Sequence, residues 1–184
     1  MTALRNLGLA AVVCVAVVSQ TVVFRHLAIG GVVPDLALIV VVVAAIDRGP
    51  ELGAMLGFAA GLLVDLAPPA DHVAGRWALA LVVVGYLAGR VRQDARSSTL
   101  AAVLVVGAAS FVGTSLYALS GAVVGDGTLP VDETVKVIVT SVLWDVLLAP
   151  LLVPLLHWLL HALGPAAQRD GARDAARAPV RTLR

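Results

Sequence analysis

Six apolar runs, each closed by a short polar break, dominate the chain: Leu7–Phe24, Val32–Ile46, Leu52–Leu66, Trp77–Val91, Leu100–Val124 and Val135–Leu163. A helix rises about 1.5 Å per residue, so it needs about 20 residues to cross a hydrocarbon core of ~30 Å. The first, fifth and sixth runs meet that length and the fourth nearly does. The second and third are short. They are joined by "DRGPE", a polar turn with Gly49 and Pro50 to break the helix. That pair reads either as a thin spanning pair or as a re-entrant hairpin. Of the 184 residues, 60% are hydrophobic and 14% charged. A soluble domain has about 25% charged residues, so this chain has too few to coat a globule in water. The expected fold is all-α, a polytopic membrane bundle of about six transmembrane helices over residues 1–164. A basic, disordered tail is expected at 165–184.

Arginine placement orients the bundle. With the N-terminus in the cytoplasm, Arg5, Arg48, Arg90, Arg92, Arg96 and the tail residues Arg169, Arg173, Arg177, Arg181 and Arg184 lie inside, and Arg25, Arg76 and Lys136 lie outside. That is ten against three, in the sense of the positive-inside bias. The acidic segment "GDGTLPVDE" at 125–133 then falls outside. No small-x-small cleavage site follows the first run, and Cys14 lacks the small residue before it that a lipoprotein signal wants, so the first helix is expected to be retained. The tail reads either as a segment lying on anionic lipid or as a solvated end that obeys the orientation rule. The single cysteine excludes an intrachain disulfide.

The stretch "GAMLGFAAGLLVD" places Gly53, Gly57, Gly61 and Asp65 four residues apart, on one face of a helix. "GYLAG" repeats the spacing with Gly85 and Gly89, and Gly107, Ser110 and Gly113 follow at spacing three. In lipid no hydrophobic force pulls helices together, so association relies on close backbone approach along such small-residue faces. Packing within the bundle is the preferred use, and docking of another protein's helix the alternative.

Three carboxylates lie within or at the ends of apolar runs. Asp35 follows Pro34 at the outer start of the second run, where it can cap free N–H groups and meet the positive end of the helix dipole. Asp65 closes the glycine edge about 21 Å along its helix, before "APP" ends it. Asp145 lies ten residues into the sixth run, about 15 Å deep. A charge there costs ~2.5–3.5 kcal/mol or more, so it should face the bundle interior. It reads as a polar site, or as a structural carboxylate bonded to Ser141, Thr140 or another helix's backbone. Pro150 and Pro154 are expected to bend that helix.

Catalytic patterns are not apparent: the chain has neither a phosphate-binding glycine loop with lysine nor a nucleophile elbow. His157 and His161 in "HWLLH" have a metal-ligand spacing. The sequence around them supplies no third ligand and no flanking Glu, so interfacial residues beside Trp158 are expected, and no metal or cofactor. Asp71 and His72 fall in an outer loop and suggest no role. With basic residues clustered only in the tail, nucleic-acid binding is not expected.

The order of these features resembles the rod shape-determining protein MreD family. The resembling segments are "VPDLALIVVVVAAIDRGPELGAMLGFAAGLLVDLAPP" and "WALALVVVGYLAGRVR", within about residues 20 to 95. Pro34-Asp35, Arg48-Gly49, Gly57, Gly61, Asp65, Gly85, Tyr86, Gly89 and Arg92 match the family's pattern, while the C-terminal half matches in hydropathy. The resemblance implies a six-helix bundle similar to the S components of ECF-type vitamin transporters. It further implies a non-enzymatic role in the cell-elongation machinery of a bacterial plasma membrane, with MreC, the RodA glycosyltransferase and its transpeptidase as partners. The S-component likeness supplies the alternative, a small-molecule-binding subunit contacting its ligand through Asp35, Asp65 and Asp145.

Overall fold

The structure, a computed structural model, describes residues 2–24, 28, 30–68, 73–126 and 130–162, with side chains from residue 7 onward. The tail at 165–184, Arg25, Asp71 and His72 lie outside the described residues. The chain forms α1 (Thr2–Val22), α2 (Leu36–Arg48), α3 (Pro50–Leu66), α4 (Arg76–Arg90), the single turn α5 (Arg92–Ala95), α6 (Thr99–Val124) and α7 (Val131–Ala162). Of these, α6 and α7, with 26 and 32 residues, are long and apolar enough to cross a membrane.

The helix boundaries follow from local chemistry. Pro34 biases Val33 away from helical angles, so α2 begins at Leu36 rather than at Val32, and Asp35 becomes its N-cap with the side chain accepting from the Leu38 N–H. Gly49 ends α2 at φ 102°, in the left-handed region that a side chain disfavours, and Pro50 opens α3 at a position where no N–H is needed. Ser98 caps α6 through the Ala101 N–H. The sixth apolar run is extended backwards in the structure. The Pro130 carbonyl accepts from the Thr134 N–H, and Asp132 and Glu133 lie at the positive end of α7. Because α7 starts at Val131, Asp145 lies deeper than its place in the apolar run implied, about 21 Å along the helix. Helical structure continues through both Pro150 and Pro154.

α2 is the centre of the bundle. Its residues Leu36 to Ile46 are all buried, and α1, α3, α4, α6 and α7 all pack on it. A 13-residue helix that is apolar all round fits such a place. α7 has two unlike faces: Ser141, Asp145, Ala149, Val153, Leu156 and Leu160 point inward, while Val139, Leu143, Leu147 and Leu151 form an exposed stripe. Large apolar side chains exposed along α1, α3, α4, α6 and α7 give the bundle a lipid-compatible surface.

Candidate functional site

The glycine edge of α3 faces α4, and these two helices make the most extensive contact in the molecule. A Cβ at Gly53 would fall on the Gly85 carbonyl oxygen, one at Gly57 on the Leu81 carbonyl oxygen, and one at Gly61 on the Ala78 backbone. From the other side, Gly85 opposes Gly53, and Gly89 opposes Pro50. The two backbones therefore touch along an antiparallel seam. α2 lies against it, with Ala45 Cβ 2.6 Å from a Cβ placed on Gly53 and Val41 Cγ1 3.0 Å from one placed on Gly85. In α6 the small residues divide, Gly113 facing Leu38 and Val84, and Gly107 facing Val146.

Asp65 ends the seam and turns toward α4. Gly75, the residue before α4, has no side chain with which to cap it. The Asp65 carboxylate accepts instead from the N–H groups of Gly75 (2.8 Å), Trp77 (3.1 Å) and Ala78 (3.1 Å). Free N–H groups at a helix start need acceptors, and the close approach of the seam brings this carboxylate within reach of them. The charge that closes the bare edge is thus an N-cap supplied by the neighbouring helix.

Asp145 does similar work at the start of α2. Its Oδ1 accepts from the Asp35 N–H at 2.8 Å, while Gln20 Oε1 of α1 accepts from the Ala37 N–H at 3.1 Å and Asp35 Oδ1 from the Leu38 N–H at 2.9 Å. α2 begins inside the protein, away from water, so side chains must receive these amide protons. Ser110 of α6 lies beside the Asp145 carboxylate, and Asp145 Oδ2 has no hydrogen-bond partner. Above this level a cavity of about 260 Å³ is lined by polar groups of Gln20, Asp35, Thr114 and Ser141 and by the rings of Trp77 and Tyr117.

A second polar cluster was not legible in the sequence, where Arg76 figured only as an outer cation. Its buried guanidinium donates to Asp126 Oδ2 and to the Tyr117 carbonyl, both at 2.9 Å, and sits 4.0 Å over the Tyr117 ring. Trp77 stacks on Tyr117, the ring centroids 4.5 Å apart. Asp126 Oδ2 also accepts from the Val73 N–H at 2.7 Å. This cluster ties the loop before α4 to the end of α6. Its hydrogen bonds join residues 41 to 53 positions apart in the chain, and no spacing signal could have joined them.

At the opposite end, Asp47 of α2 meets α7. His157 Nδ1 is 3.0 Å from Asp47 Oδ1. Ligand atoms of Asp47, His157 and His161 all lie within 4.8 Å of one another. Arg96 donates to the Asp47 carbonyl, and its guanidinium is 3.9 Å from Asp47 Oδ1. Arg92 lies over Gly49, its Nη1 3.1 Å from where a Cβ would be. The Arg48-Gly49 turn and α5 are thereby brought together.

No curated protein and no solved structure matches the chain. A family model does, over residues 2–163, which takes in α6 and α7 as well as the motif-bearing helices α2 to α4. That model describes the rod shape-determining protein MreD, and the chain belongs to the MreD family.

Proposed function

We propose that this membrane protein is a non-enzymatic scaffold of the cell-elongation machinery, holding MreC and, with it, RodA and its transpeptidase in the plane of a bacterial plasma membrane. One observation supports this beyond family membership: the buried carboxylates serve as helix caps. Asp65 receives three amide protons at the start of α4, from Gly75, Trp77 and Ala78, and Asp145 receives one at the start of α2. Both carboxylates are spent on ordering the bundle. Both termini are proposed to be cytoplasmic, with the α6–α7 connection outside. In a Cys14→Ser background, an impermeant thiol reagent applied to intact cells should label Asp132→Cys and spare Ser97→Cys. The reverse pattern would invert the orientation.

The small-residue edge of α3 is occupied by α4, so a partner helix is expected elsewhere. The α4–α6 groove, with a volume of about 400 Å³, is lined by apolar residues, Leu87, Ala88, Leu104 and Ala108 among them, and by Asp94. It suits the single apolar helix of a bitopic partner such as MreC. Ala108→Trp should lower co-purification of MreC, and Leu147→Trp on α7 should not. Depletion in a host that elongates laterally should alter cell width.

The runner-up reading is an S-component-like subunit that binds a small molecule. The cavity above Asp35, with its two aromatic rings and four polar side chains, favours it. Its volume of about 260 Å³ is below the ~300–1,000 Å³ usual for drug-sized ligands. Loss of uptake of one compound on depletion, with cell shape unchanged, would select this reading over the scaffold.

A further inference from the structure

We propose that Asp47, His157 and His161 form a binding site for one divalent transition-metal ion of the zinc type, a structural staple between the end of α2 and the last turns of α7. The sequence shows two histidines at i and i+4, which place both imidazoles on one helix face. The fold adds what the sequence around them lacks, a carboxylate from a helix 110 residues earlier in the chain than His157. The three candidate ligand atoms lie within 4.8 Å of one another, and the Asp47–His157 pair is already at 3.0 Å. Tetrahedral zinc with bonds of about 2.0–2.2 Å brings its ligand atoms to roughly 3.4 Å apart. The exposed His161 needs to close by at most about 1.4 Å to meet that geometry, and its place in the last turns of α7 leaves room for the movement.

The donor set selects the ion. Two neutral imidazoles and one carboxylate suit zinc and its neighbours, whereas calcium and magnesium take oxygen ligands. Three protein ligands leave the fourth position to water, and a cavity of about 520 Å³ lined by Asp47, Ser98, Thr99, His157 and His161 provides the space for it. Arg96 has two opposing effects. Its bond to the Asp47 carbonyl holds the carboxylate's backbone in place, while its charge 3.9 Å from Asp47 Oδ1 works against a dication. The remaining histidines, His26 and His72, and the single Cys14 fall in other parts of the chain, so the chain has one such cluster among its described residues. The site lies at the end of the bundle remote from the Asp35 cavity, and its occupancy is independent of the scaffold reading.

The alternative is a simple ion pair between protonated His157 and Asp47, with no metal ion between them. The full chain, purified in detergent through an affinity tag without histidine and stripped with chelator, is titrated with Zn²⁺ against a chromophoric competitor. One equivalent should bind, raising the melting temperature. His161→Gln should weaken binding by about tenfold or more and abolish the thermal shift, as should Asp47→Asn. Should Asp47→Asn fail to fold, the exposed His161→Gln still decides the matter. Absence of stoichiometric zinc on the wild-type chain, or undiminished zinc affinity in His161→Gln, would overturn the site and leave the ion pair.

Discussion

α2 and α7 are both strongly apolar, yet they occupy opposite environments. α2 is buried over its whole apolar length, while α7 buries one face, marked by Ser141, Asp145, Ala149, Val153, Leu156 and Leu160, and exposes the other. In water such a difference would be driven by hydrophobicity. In a bilayer it cannot be, because lipid tails are as apolar as leucine. The positions of the polar and small residues separate the two helices. On α7, Ser141, Asp145 and Ala149 mark the inward face, and leucines look outward. α2 carries its charged groups at its ends, Asp35 at the cap and Asp47 and Arg48 in the last turn, and its middle is equally at home against protein on every side. A membrane helix is thus oriented by what must avoid lipid, and a helix with nothing to hide can be surrounded.

The largest effect should come from prising apart the wall around α2. Gly57→Leu puts bulk onto the Leu81 carbonyl in a seam that α2 also touches, so it should abolish a monodisperse, folded product in detergent, while Leu56→Ala is tolerated. If Gly57→Leu purified with normal yield and melting behaviour, the seam would not be closed. The next effect tests the two helices directly. Ile39→Ala in α2 removes fully buried packing and should cost about 2–3 kcal/mol, measured by unfolding in mixed micelles. Asp145→Leu breaks a polar link from α7 to the start of α2. It leaves the Asp35 N–H unpaired and should cost about 1–3 kcal/mol, whereas Asp145→Asn keeps an acceptor and should recover most of that loss. The smallest effect should be Leu147→Ala on the exposed stripe of α7, within about 0.5 kcal/mol of the parent. A loss at Leu147 equal to that at Ile39 would mean that the stripe is covered by protein rather than lipid.

Much of the candidate site was legible because it is local. The glycine edge, its register of four and the Asp65 that closes it are properties of one helix, and the matching pair Gly85 and Gly89 lies in the next. Asp35 as a cap followed from Pro34 and the apolar run after it. The target of Asp65 was not readable, since the three amides it receives become neighbours only when the hairpin closes. Nor was the role of Arg76, whose partners come from the far end of α6.

By itself the sequence determined that the chain is helical and apolar enough for a membrane, and where most helices begin and end. In lipid the interior of a helix must satisfy its own backbone groups, so apolar run length, proline, glycine and local capping residues set most of those limits. Only the tertiary structure decided that α2 is central, that Asp145 caps it across 110 residues, and that Asp47 stands beside two histidines of α7. Hydropathy is blind to these choices because protein interior and lipid interior present the same apolar surroundings, and a carboxylate's partner is set by which helices pack together, a relation that no single segment contains.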